Sequence, residues 1–358
     1  MPSTTKIIPK CSQIIQQQLL PHIPKKWRGQ FKFGVQALTL KPFSSLASNA
    51  RQTVANPATA STKMDRLINN LGLAETISAA VTNFGIIHPS SLINCDHSDF
   101  NGLTAFVGAI QTKKGRAIPC MVATTYSQRL PAHSQAPKRK QRMRSERSKL
   151  NYGIYEQVRT TLDDFAGRLG FWPRFVFDRG FMSFELVRFF AERRATFYVR
   201  LKASQFVEVR GEKIRVRDLY DQDAKVIVAG CKVRVIRSDQ PENGGEPWYI
   251  LTSDMTSRRR KIIQIYYHRF EIEETFKDLK HILDLVRTKL IRPTSLQLLL
   301  WFTSLSLILA YLSGIRVESW VESTNSKKRI CWFRLFYESL VRETYRPTAD
   351  LITGGLGK

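Results

Sequence analysis

Four residues in the stretch Tyr266 to Lys280, YYHRFEIEETFKDLK, have types and a spacing suited to phosphate chemistry. Tyr266, Arg269, Glu273 and Lys280 stand at offsets of three, seven and fourteen. With about 100° of turn per residue, one continuous helix carries all four within an arc of roughly 60°. One carboxylate then lies between two cations, with a phenol alongside. Ile265, Ile272, Phe276, Leu279 and Leu283 form the adjoining apolar stripe that packs such a helix. Glu271, Glu274 and Asp278 point away from both. A carboxylate flanked by cations is what a phosphate-handling metal site needs. A surface helix with ordinary solvated charges explains the same residues taken alone, so the reading depends on what the rest of the chain brings to them.

Two other acids bring it. Asp96 ends an apolar strand, SLINCD, with Asp99 three positions on as the alternative. Asp178 follows a second apolar strand, WPRFVF, and precedes Arg179-Gly180, a setting that also suits an ordinary turn aspartate. Asp96, Asp178 and Glu273 together, without histidine or cysteine, make a hard, oxygen-only donor set. Such a set suits Mg²⁺ or Mn²⁺ rather than zinc. Two ions about 3.5–4 Å apart can clamp a scissile phosphate between nucleophile and leaving oxygen.

The elements that must position these acids can be read from periodicity. Residues 1–88 are helical, polar and interrupted by Pro21, Pro24, Pro42 and Pro57. Within them Ser61 to Leu73 is a basic amphipathic helix opened by capping residues, and Lys63 and Arg66 are candidate contacts to a DNA backbone or plain solvated charges. From Ser91 the period changes to that of strands: SLINCD, TAFVGAIQT and AIPCMVATTY, the last two joined by a tight turn at Lys113 to Arg116. A basic run from Pro137 to Lys149 follows, then a helix Asn151–Leu169, the WPRFVF strand, a helix Ser183–Arg193 and a strand from Thr196. Residues 203–254 alternate as short antiparallel strands (FVEVRG, KIRVRDL, AKVIVAG, CKVRVIR). This order describes an α/β mixed sheet of the ribonuclease H type with a β-strand insertion and a helical N-terminal region. In such a sheet the first and fourth strands lie side by side and bring Asp96 and Asp178 together.

Composition narrows the partner. The 358 residues carry a net charge of +26, which points to a polyanion, most simply nucleic acid. The five cysteines, Cys11, Cys95, Cys120, Cys231 and Cys331, are scattered and form no CxxC pair, so neither a disulfide framework nor a zinc finger is expected. No secretory signal opens the chain, and a cytoplasmic, nucleoid-associated location is expected. The apolar stretch Leu296 to Leu312 carries Gln297, Thr303, Ser304 and Ser306, and reads as a buried core helix rather than a membrane span.

On these residues the chain resembles the DDE transposases of the insertion-sequence-four family. Tyr266-x2-Arg269-x3-Glu273-x6-Lys280 is similar to that family's Tyr-Arg-Glu-Lys signature, Asp178-Arg179-Gly180-Phe181 to the block around its second aspartate, and Asp96 in INCDHSDF to its first. The resemblance covers about residues 61–315. With the reading of the elements above, the chain divides into five stretches: 1–88, a helical region contacting DNA; 89–202, the first part of a ribonuclease H-like catalytic domain; 203–254, the β insertion; 255–315, completion by the glutamate helix; and 316–358, a basic tail. The resemblance carries further expectations. It implies metal-dependent strand cleavage and transfer of a mobile element by cut-and-paste, through a hairpin, by a homodimer on transposon ends and target DNA, with no membrane partner. Asp96, Asp178 and Glu273 would be catalytic and metal-binding. Tyr266, Arg269 and Lys280 would hold phosphates, and Arg179 is taken with them as a DNA contact. Trp248 would stack on an extruded base or pack in the core. The alternatives are a plain ribonuclease H-like nuclease and a non-catalytic DNA-binding remnant.

Overall fold

A computed structural model describes residues 7–35, 56–100, 102–112, 115–126, 155–239, 246–281 and 292–313. The basic run Pro137 to Lys149, Leu283, Cys331 and the tail from residue 316 lie outside them. The N-terminal region is helical: α1 (Ile7–Ile14), α2 (Arg28–Gly34), α3 (Ala60–Ile68) and α4 (Leu71–Thr82). The Asn70 side chain caps α4 by accepting from Leu73 N–H at 2.9 Å. By contrast α3 opens at Ala60 with no side-chain cap, so Ser61 and Thr62 lie inside it.

Strands β1 (Leu92–Phe100), β2 (Leu103–Gln111) and β3 (Ala117–Tyr126) form an antiparallel meander. Helix α5 (155–169) follows, then β4 (Arg174–Phe177), α6 (Phe184–Glu192) and β5 (Phe197–Leu201). Ser183 Oγ caps α6 by accepting from Leu186 N–H at 3.1 Å. β4 runs parallel to both β1 and β5, which gives the order β3-β2-β1-β4-β5 of a ribonuclease H-like sheet. Next come β6 (Phe206–Val209), β7 (Glu212–Arg215), β8 (Asp223–Val228), β9 (Cys231–Arg237) and β10 (Tyr249–Thr252). The KIRVRDL strand stops at Arg215, where a 3₁₀ turn begins. These strands do not stand apart as a separate sheet. β10 pairs antiparallel with β5, so all join one ten-stranded sheet among the described residues.

Alternation assigns the two faces. Phe175, Phe177, Phe197 and Val199 enter the main core, while Val176, Tyr198, Ile236 and Ile250 pack on the other side with Ile262, Ile265 and Tyr266. Those last three belong to α7 (Arg259–Tyr267), which leads to α8 (Phe270–His281) and α9 (Pro293–Ser313). In α9 the residues Leu296 to Leu309 are buried almost all round against β3 and the N-terminal helices. Thr303, Ser304 and Ser306 are tolerated there because their hydroxyls donate to the carbonyls of Leu300, Leu300 and Phe302. Among the described residues no helix is long and apolar enough to cross a membrane.

The helix expected to run unbroken from Tyr266 to Lys280 is two helices. α7 ends at Tyr267, α8 begins at Phe270, and the joint is His268-Arg269. Its cause is tertiary. The carbonyl of Ile265 accepts from Gln111 Nε2 at 3.1 Å and that of His268 accepts from Asn94 Nδ2 at 3.0 Å. Arg269 N–H turns instead to Tyr266 O, and Ile272 N–H to Arg269 O, both with the tighter i→i−3 spacing.

Candidate active site

β1 and β4 pair in parallel up to Cys95 opposite Phe177. Asp96 and Asp178 are therefore the next residue on each strand. β4 stops there, and Asp178 opens the 3₁₀ turn Arg179–Phe181. β1 does not stop: it continues to Phe100 in its pairing with β2, so Asp96 lies within a strand rather than at its end. Asp96 is held by the backbone N–H of His97, which donates to its Oδ1 at 2.7 Å. The His97 ring stacks on Phe181 at 4.6 Å between centres, so the segments after both aspartates are tied through their rings. Asp99 is engaged elsewhere, accepting from Thr104 Oγ1 at 2.5 Å.

Glu273 arrives on the first turn of α8. It, Asp96 and Asp178 converge on one group, the guanidinium of Arg269 at the helix joint. Arg269 Nη2 lies 2.6 Å from Glu273 Oε1 and 3.7 Å from Asp178 Oδ1, and Nη1 lies 3.5 Å from Asp96 Oδ2. Arg269 is 4% exposed, yet its Nε and Nη1 have no hydrogen-bond partner among the described residues. Burial pushes the Asp96 carboxyl up to about 6; Arg269 pulls it down, and Asp178 and Glu273 add to the rise.

The other expected residues divide into three groups. Tyr266 is 1% exposed, its hydroxyl has no hydrogen-bond partner among the described residues, and burial pushes the phenol up to about 12. Its ring packs against Trp248 at 5.5 Å, and Trp248 also meets Phe270 at 5.7 Å, so both rings are packing groups here. Lys280 reaches the far end of β1, its Nζ 5.3 Å from the Phe100 ring centre. Arg179, Lys63 and Arg66 are exposed, the last two on α3 well before the carboxylate-bearing elements.

Three acids of α8, Glu271, Glu274 and Asp278, were expected to point away from both the phosphate-handling face and the apolar stripe, and each meets a partner at the β2–β3 hairpin. Glu271 is 5% exposed and accepts from Thr112 N–H at 2.8 Å. Asp278 takes Arg116 Nε at 2.5 Å, and Glu274 lies 3.7 Å from the same guanidinium. Between them the buried Thr275 hydroxyl accepts from Ala117 N–H at 3.0 Å. These contacts pin α8 to the β2–β3 hairpin and so fix where Glu273 stands. Helical angle alone carries no signal for them, because it cannot show which strand end lies opposite.

Asp96, Asp178 and Glu273 offer only oxygen, and three carboxylates against one guanidinium leave two negative charges uncompensated. That chemistry fits a hard divalent cation. Among the described residues no group of three or more His, Cys, Asp or Glu side chains is arranged to hold a metal ion; what Asp96, Asp178 and Glu273 share is the Arg269 guanidinium.

No curated protein matches the chain in sequence. Among solved structures it is similar to the cryo-EM structure of piggyBac transposase in a synaptic complex with hairpin DNA. The two are 10% identical, with a TM-score of 0.47 over 96% of this chain and 80% of that one. The family model for the transposase DDE domain matches residues 155–309. Asp178 and Glu273 fall within the match, while Asp96 precedes it and joins them by geometry. Residues 155–309 thus carry the sequence pattern of a transposase DDE domain, which supports a DDE transposase.

Proposed function

We propose that this protein is a DDE transposase that cuts and joins DNA at the ends of a mobile element, of the insertion-sequence-four type. The observation that carries the reading is the convergence of Asp96, Asp178 and Glu273, from three separate elements, within 3.7 Å of one buried guanidinium. These three carboxylates would hold Mg²⁺ or Mn²⁺, as one ion or a pair. The chemistry such ions supply is Lewis-acid activation of a water or 3′-hydroxyl nucleophile and charge neutralisation at the scissile phosphate. The chain's own contribution is placement. The His97 N–H orients Asp96, Arg269 gathers the three acids while no phosphate is present, and the acids of α8 anchor the helix that bears Glu273. Lys280, half-buried at the end of β1, offers a cation to the DNA backbone, and exposed Arg179, Lys63 and Arg66 offer others. A cut that frees a 3′-hydroxyl, its attack on the opposite strand to form a hairpin, and final joining to target DNA by a homodimer on paired ends complete the reading.

The test uses the DNA on either side of the gene, where the reading expects inverted repeats. Glu273→Gln should lose Mg²⁺-dependent cleavage at the element ends and still bind them. Normal cleavage by that variant would refute the assignment. Cleavage by the unaltered protein without joining of pre-cut ends would reduce it to a nuclease.

A further inference from the structure

One cationic face of the chain is not used by the carboxylate cluster. A cleft of about 660 Å³ lies along the outer side of α7, lined by Arg258, Arg260, Lys261, Ile263, Gln264 and Tyr267. All but Ile263 are exposed. Arg259, in their midst, is tied down: its Nε donates to Arg237 O at 2.9 Å and its Nη2 to Asp239 at 2.7 Å. Among the described residues no acid lies within ion-pair reach of Arg258, Arg260 or Lys261. Three consecutive cations and no acid fill the first turn of α7, the end where the helix dipole is already positive. That arrangement opposes helix stability, so packing does not account for it. A polyanion lying in the cleft would offset it.

The other end of the cleft is aromatic. Tyr267 is 62% exposed, and its ring meets those of His268 at 5.9 Å and Phe270 at 6.5 Å edge-on, leaving a face open. Phe270 in turn lies 4.7 Å from the Arg269 guanidinium, which touches all three carboxylates. From Arg260 to Tyr267 is about 10 Å along the helix, roughly three nucleotides at 3.4 Å of rise each.

We propose that the outer face of α7 is a track for one DNA strand, in which Arg258, Arg260 and Lys261 take successive phosphates and Tyr267 is the platform for an unpaired base beside the cutting centre. A duplex interior offers no free base face, so a ring at the end of a cation row favours a frayed or single strand. The proposal rests on the transposase reading only in taking DNA as the polyanion.

The experiment measures fluorescence anisotropy of the full chain with a labelled oligothymidylate and a blunt duplex of the same length, over a range of salt. Tyr267→Ala should weaken oligothymidylate binding about tenfold and leave duplex binding within about twofold, the size of one lost base stack. Tyr267→Phe, which keeps the ring, should bind both as the unaltered protein does. The double variant Arg260→Gln/Lys261→Gln should lower the oligothymidylate salt slope by about 1.4, two phosphates' worth. Unchanged affinity in Tyr267→Ala, equal weakening on both probes, or an unchanged slope in the double variant would each overturn the proposal. Cleavage assays run alongside separate the two ideas. An unaltered protein that binds with these differences but never cuts element ends sinks the transposase reading and leaves the track standing.

Discussion

Among the described residues Arg269 makes a single side-chain hydrogen bond, to Glu273, although it is almost wholly buried. What holds it is charge, shared among three acids. Removing it by Arg269→Ala leaves those acids facing one another. A fully buried pair broken in this way costs about 3–5 kcal/mol, and solvent at Asp178 and Glu273 should reduce that to about 2 kcal/mol. Added Mg²⁺ should then raise the unfolding midpoint of the variant more than that of the unaltered protein, which thermal melts with and without the ion will show. Asp96 carries the opposite sign. Its folded value, about 6, lies above the ordinary 3.8. The folded state therefore prefers the protonated acid, and that favourable contribution is full below about pH 3.8 and is lost as pH rises through about 6. Asp96→Asn should be more stable by about 1–2 kcal/mol at pH 8 in EDTA, equal to the unaltered protein below about pH 4, and inactive in cleavage. Melting curves at the two pH values decide it.

At the scale of elements, the joint between α7 and α8 decides the site. Asn94 donates to His268 O and accepts from Gln111, which itself donates to Ile265 O. Asn94→Ala should cost about 1–3 kcal/mol and lower cleavage, while keeping DNA affinity. Equal losses in binding and cutting would show that the residue serves only stability. The approach of Asp96 and Asp178 was legible because β1 and β4 are parallel neighbours that carry them at matching positions, and Glu273 stood out by its place among the cations of one helical stretch. The joint was not, because YYHRFEI contains neither proline nor glycine and its break is imposed by residues more than 150 positions away. The partners of Glu271 and Asp278 were hidden for the same reason. The strands of the insertion were visible in the sequence, while the pairing of β10 with β5 that joins them to the main sheet is non-local. A second anchor sits where β10 passes to α7. Burial alone would raise the Asp254 carboxyl, but bonds from Ser257, Tyr198 and Thr256 outweigh it and hold it well below the usual carboxylate range. A depressed acid gives stability that is present above about pH 3.8 and fades as pH falls through its folded value. Asp254→Asn should therefore destabilise by about 2 kcal/mol at pH 7 and progressively less in acid, measured by urea unfolding at each pH.

At the scale of the molecule, α9 closes the fold. Its buried leucines meet β3 on one side and α4 on the other, and Gln297 and Pro293 bond to β3 through Val122 O and Thr124 Oγ1. A chain ended at His281 would bare that wall, and we expect it to be insoluble on expression; a soluble truncated chain with native near-ultraviolet circular dichroism would contradict this. At the sheet's other end β7 is a short edge, Glu212 to Arg215, with Lys213 and Arg215 among its four residues, a composition that discourages edge-to-edge pairing. The distance along the chain between Asp96 and Glu273 has a consequence in time. The two are 177 residues apart, with nearly the whole sheet between them. At about 5–20 residues per second of synthesis, the first aspartate waits roughly 10–35 s for the glutamate. During that interval the nascent chain lacks Glu273, and the three carboxylates cannot gather around Arg269, which is itself made only four residues earlier. The order of elements is thus also an order in time: the cluster is assembled only after the sheet that carries it.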